Sequence, residues 1–122
     1  MESLESKNLA YKITDLALDK KAKQIVVMDL KGKTGIADFF VLMTGDSETQ
    51  IKAIADYIVR ELKGQEIRLY HKEGYNSLHW VLLDYVDVVV HVFKPETREF
   101  YGLERLWGDA KIDFVMDVEN AG

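Results

Sequence analysis

The residues best equipped for chemistry in this chain are the turn Gly45-Asp46-Ser47 and the acids Asp84 and Asp87. A Gly-Ser turn opening a helix can offer backbone N–H groups to phosphate, and converging carboxylates can hold magnesium, so the chemistry would be magnesium-assisted nucleotidyl transfer. The spacing argues against it. On a strand, side chains two apart share a face, whereas Asp84 and Asp87 stand three apart at a turn and converge only if the turn bends them together. The favoured reading is a related fold without the chemistry, with no catalytic residue and no cofactor.

Other chemical constellations are weaker still. His71, His79 and His91 lack metal-ligand spacing, and the chain has no cysteine to support them, so no metal site is expected. The run Lys33-Thr34-Gly35 following Gly32 lacks the spacing of a phosphate loop. No G-x-S-x-G motif occurs.

The acids belong to the most apolar stretch of the chain, Trp80 to Phe93 (WVLLDYVDVVVHVF), which reads as two strands of a hairpin in the middle of a sheet. With Tyr85 and Val86 as turn residues, Asp84 pairs with Asp87, Leu82 with Val89 and Trp80 with His91, all on one face. The other face carries Val81, Leu83, Val88, Val90 and Val92 and must pack on the core. Two carboxylates facing each other across a strand pair are unfavourable by a few tenths of a kcal/mol. Either they bracket a turn, as Asp often does, or they serve a partner. A Val at the turn also dislikes the positive φ of a tight type I′ turn.

The rest of the chain must position this hairpin. Residues 4–20 place Leu4, Leu9, Ile13, Leu16 and Ala17 on one helical stripe. Gln24–Leu30, Phe39–Thr44 and Glu66–His71 read as further strands. Ser47 with Gln50 forms a capping box before a helix whose apolar positions run from Ile51 to Leu62. Pro95 starts a last helix with Phe100, Tyr101, Leu103, Leu106 and Trp107 as its apolar positions. The expected architecture is α/β (α+β mixed): a single domain over residues 1–116, with a mixed sheet of about five strands covered by helices. Residues 117–122 are expected to be a mobile tail.

Composition bounds the function. The 122 residues suit one domain, and 48% hydrophobic with 30% charged residues is ordinary for a soluble one. The N-terminus lacks the pattern of a secretory signal and no apolar run reaches membrane-spanning length, so a cytoplasmic protein without membrane contact is expected. The net charge of −5 argues against gripping phosphates and fits a basic protein partner better.

Three ordered motifs, ADFFVLMTGDSETQIKAIADYI, WVLLDYVDVVVHVF and ETREFYGLERLWGDA, together make the chain resemble the Iojap family, the ribosomal silencing factors called RsfS. The resemblance implies a nucleotidyltransferase-like fold that is not an enzyme. It further implies binding to the large ribosomal subunit through its universal protein fourteen, which blocks joining of the small subunit and represses translation, with large-subunit assembly as the role of organellar members. By position, the family's partner-binding residues fall on Trp80, Leu82, Asp84, Tyr85, Asp87 and His91. No direct sequence-specific contact to nucleic acid is implied. An apolar hairpin face left partly uncovered would also let two copies pair as a homodimer.

Overall fold

A computed structural model describes residues 2–115, with side chains from residue 5 onward. The tail expected at 117–122 and the side chain of Leu4 lie outside the described residues. The elements in chain order are α1 (Glu2–Asp19), β1 (Lys23–Asp29), β2 (Phe39–Thr44), α2 (Glu48–Gly64), β3 (His71–Glu73), β4 (Trp80–Asp84), β5 (Val88–Phe93), α3 (Pro95–Tyr101), α4 (Leu103–Leu106) and β6 (Lys111–Val115). The strands make one mixed sheet in the order β3-β4-β5-β2-β1-β6. Its centre is the parallel pair β2 and β5, and the other pairings are antiparallel.

The apolar periodicity of α2 is realised closely, since Ile51, Ile54, Ala55, Ile58 and Leu62 are all buried. Its start is capped by Ser47 Oγ, which accepts from the Gln50 amide at 3.1 Å. Gln50 Oε1 accepts from the Asp46 amide at 2.6 Å, one residue earlier than a standard capping box would close. Gly45 is required just before this cap, because a Cβ there would lie 2.7 Å from Ile51 Cγ1. The Gly45-Asp46-Ser47 turn is thus fully employed in starting a helix and packing it.

The two faces of the sheet are covered unequally. Beneath the long helices α1 and α2, Val41, Met43, Val81, Leu83, Val90 and Val92 meet Ile13, Ala17, Ile54 and Ile58 in the main core. On the opposite face Val26, Met28, Phe40, Leu42, Val89 and Phe93 form a second cluster, against which Leu103 and Trp107 pack half-buried. Among the described residues, the short helices α3 and α4, the turn after them and the β1–β2 loop residues Leu30 and Ala37 lie over that side.

Three departures from the sequence reading have local causes. Lys111–Val115 adds a sixth strand, an edge whose mostly exposed residues hide the alternation of a core strand. The strand expected at Glu66–His71 pairs only from His71 to Glu73, because the Ile67 amide bonds back to the Leu62 carbonyl and spends the preceding residues on leaving α2. The last helix breaks at Gly102, which adopts the left-handed conformation at φ 55°.

Candidate functional site

The β4–β5 hairpin has the expected faces but a different register. Trp80 pairs with Phe93, Leu82 with His91 and Asp84 with Val89. This is a two-residue offset from the expected pairing, so the alternation survives while the turn moves on by one residue. The turn is closed by the Tyr85 amide donating to the Val88 carbonyl, and the Asp87 amide donates back to the Tyr85 carbonyl, both at 2.9 Å. Val86 therefore sits at the centre of a γ-turn with φ 73°, a strained conformation for a β-branched residue. Asp84 selects this turn. Its carboxylate accepts from the Val86 amide at 2.7 Å.

With the register corrected, Asp84 and Asp87 do not face one another, and the expected like-charge pair does not arise. Asp84 is half-buried on the open face beside Leu82 and Trp80, while Asp87 is exposed at the tip. Tyr85 is displaced further from the expected group. As the first residue after β4 it points into the helix-covered core with only 7% exposure, and burial pushes its hydroxyl up to about 12. Tyr85 is therefore not part of the surface that Trp80, Leu82 and Asp84 share.

His91 is likewise internal, at 3% exposure. Trp80 Nε1 donates to His91 Nδ1 at 3.0 Å, and because an indole can only donate, the imidazole is the neutral tautomer protonated on Nε2. Phe40 packs 4.5 Å from the His91 ring, and Phe93 lies nearly parallel to it at 6.0 Å. Burial in this aromatic cage lowers its pKa from 6.5 to about 3. His91 thus orients the Trp80 indole from behind while itself buried.

The surface extends onto α3. Tyr101 packs against Trp80 with ring centroids 4.8 Å apart and planes tilted by 48°, and Phe100 meets Tyr101 edge-on at 5.0 Å. Phe100, Tyr101 and Leu106 are 78%, 55% and 66% exposed, so most apolar positions expected in the last helix face solvent. The signal was present in their crowding: residues 100, 101, 103, 106 and 107 cannot share one helical stripe, and Gly102 divides them. Trp107 does pack inward, edge-on to Phe40 at 5.4 Å. A second feature missed by pattern reading is Arg98, a buried guanidinium in α3 bonded to Glu104, Thr44 and the Gln24 carbonyl.

The nucleotidyl-transfer constellation is not assembled. The Gly45 amide bonds to the carbonyl of Phe93, at the far end of β5, whereas Asp87 accepts from the Asp38 amide at its beginning. Six rises of ~3.3 Å separate Asp87 from Phe93 by roughly 20 Å, too far to share a metal or a phosphate. Among the described residues, no group of three or more His, Asp or Glu side chains could hold a metal ion, and no helix is long and apolar enough to cross a membrane.

Known proteins share this sequence and fold over most of the chain. Residues 3–121 match the family described as "Ribosomal silencing factor during starvation". A ribosomal silencing factor of Halalkalibacterium halodurans is 46% identical over 110 residues, covering 90% of this chain and 92% of the relative. The mouse "Mitochondrial assembly of ribosomal large subunit protein 1" is 33% identical over 98 residues, covering 78% of this chain and 43% of its own length. Among solved structures, a Chromobacterium violaceum protein at 36% identity superposes with a TM-score of 0.80 and 98% coverage of both chains.

Proposed function

The chain belongs to the family of ribosomal silencing factors, and from that premise we propose that it binds the large ribosomal subunit and blocks joining of the small one, so repressing translation. The partner proposed on the subunit is universal protein fourteen. The observation that carries this is the continuous surface of Trp80, Leu82 and Asp84 running into exposed Tyr101 and Phe100. Aromatic side chains supply buried area at an interface, and a carboxylate beside them gives orientation and encounter rate toward a basic protein. A net charge of −5 fits a protein contact better than a nucleic-acid grip. The test is a reconstituted joining assay. Protein added before the subunits are mixed is expected to lower the yield of joined ribosomes, and undiminished joining at saturating protein rejects the proposal.

A role in large-subunit assembly is the second reading, favoured by the name of the mouse relative. The two differ in timing: an assembly factor co-sediments with immature subunits during growth, a silencer with mature ones in starvation. The chain is proposed to act in the cytoplasm and to perform no catalysis. Accordingly, magnesium with nucleotide is expected to leave the melting temperature unchanged, whereas a ligand of the native state would raise it. The same open face is the proposed seat of a homodimer in the free protein. A single-chain mass by light scattering at high concentration removes that part.

A further inference from the structure

We propose that Arg98 is the positioning residue of the docking surface: it holds α3 and α4 as a ledge whose exposed Phe100, Tyr101 and Leu106 continue the Trp80 face. One large-subunit protein then meets hairpin and ledge together. This rests on the docking proposed above and adds to it the ledge and the residue that sets its angle.

Leu103 and Trp107 hold the ledge from its half-buried side, and Arg98 is its polar anchor. Helices of seven and four residues have no stability of their own. Arg98 is the buried residue of α3, and α4 has none. From that buried position Arg98 Nη1 donates to the Gln24 carbonyl at 2.6 Å and to Thr44 Oγ1 at 2.9 Å. Nε and Nη2 donate as a fork to the two Glu104 oxygens at 3.2 and 2.9 Å. One guanidinium thereby ties α3 to α4, to the end of β2 and to the irregular start of β1, where Gln24 adopts φ 51°. Between the two helices Gly102 makes the corner in the left-handed conformation at φ 55°, which residues with a side chain rarely adopt.

An ion pair is a poor choice if the only requirement is stability, because a buried charged pair can often be replaced by apolar residues with no loss. A planar fork supplies direction, which apolar packing does not. Direction matters here because Tyr101 must stand against Trp80 at 4.8 Å for the two elements to present one surface. The occupant follows from that continuity. Exposed Glu96 and Glu99 outnumber exposed Arg105 on the ledge and carry the same sign of charge as Asp84 on the hairpin, so a basic protein that suits one suits both.

The experiment measures binding of full-length variants to washed large ribosomal subunits, with stability measured in parallel. Arg98→Ala leaves Glu104 uncompensated and can fail to fold, so the informative variant is the charge-free pair Arg98→Met with Glu104→Leu. Its melting temperature is expected to equal or exceed wild type, with binding weakened at least about tenfold, a 1.4 kcal/mol difference. Amide hydrogen exchange is expected to quicken over residues 95–106 and to stay slow in β2 and β5. Phe100→Ser, an exposed change, is expected to weaken binding similarly without altering stability. A stable double variant that binds like wild type overturns the positioning role, as does wild-type binding by Phe100→Ser. Trp80→Ala separates the levels: if it abolishes binding while the double variant binds normally, the hairpin docks and only the ledge proposal falls. If wild type itself does not bind the subunits, both fall.

Discussion

Trp80 and His91 are joined diagonally across the hairpin, the indole N–H donating to Nδ1 at 3.0 Å while each residue's direct strand partner is a different one. The pair lies on the boundary between core and surface: His91 is buried, Trp80 half-exposed. Trp80 is therefore both a structural donor and a surface aromatic, and its substitutions must be read on both scales.

Trp80→Phe keeps a ring in place but leaves the buried His91 acceptor without its donor. A loss of about 1–3 kcal/mol of folding stability is expected, measured by denaturant unfolding. Unchanged stability would mean that the hydrogen bond contributes nothing.

The pH response follows from His91. Its folded pKa of about 3 lies below its ordinary 6.5, so between these values the unfolded chain holds a proton that the native state excludes. The sign is that stability falls as pH drops from 6.5 toward 3, and this group has no effect above 6.5. Replacement by His91→Gln, which retains an acceptor but does not titrate, is expected to flatten the stability profile across that window. In the wild type, imidazole NMR signals of His91 are expected to hold still from pH 8 to pH 5; a midpoint near 6.5 would contradict the buried neutral form.

Val86 at φ 73° invites a stabilising change. Val86→Gly relieves strain of order 1–3 kcal/mol at an entropy cost of about 0.4–1 kcal/mol, so a net gain of about 1 kcal/mol is expected. Thermal unfolding decides, and a lower melting temperature would show that the valine side chain is held by contacts that outweigh the strain.

At Asp84, turn capping and surface charge can be separated. Asp84→Asn keeps an acceptor for the Val86 amide and should fold normally, yet associate with the large subunit more slowly, by an amount that shrinks as salt is added. Asp84→Ala is expected to lose about 1 kcal/mol of stability as well, through the missing cap. Equal association rates for Asn and wild type at low salt would remove the steering role.

How much of this was legible beforehand depended on the kind of signal. The hairpin faces and the α2 stripe were readable because burial imposes strict periods of two and about 3.6 residues. The register was not: moving the turn by one residue preserves the alternation, and the choice was made by one carboxylate bonding one amide, Asp84 to Val86. That same step carried Tyr85 from the surface group into the core. β6 was unreadable because an edge strand buries too little to show alternation. Arg98 was unreadable because its partners lie 6, 54 and 74 residues away.

The parallel pairing of β2 with β5 also governs when the face around Trp80 can exist. Strand β2 emerges early in synthesis, yet its neighbour comes only after α2, β3 and β4 have been made. Closing so long a loop is entropically slow and is rewarded only once β5 arrives. A nascent chain stopped anywhere before Phe93 thus has half a sheet and no platform behind Trp80. The face around Trp80 can therefore form only after β5 has been made.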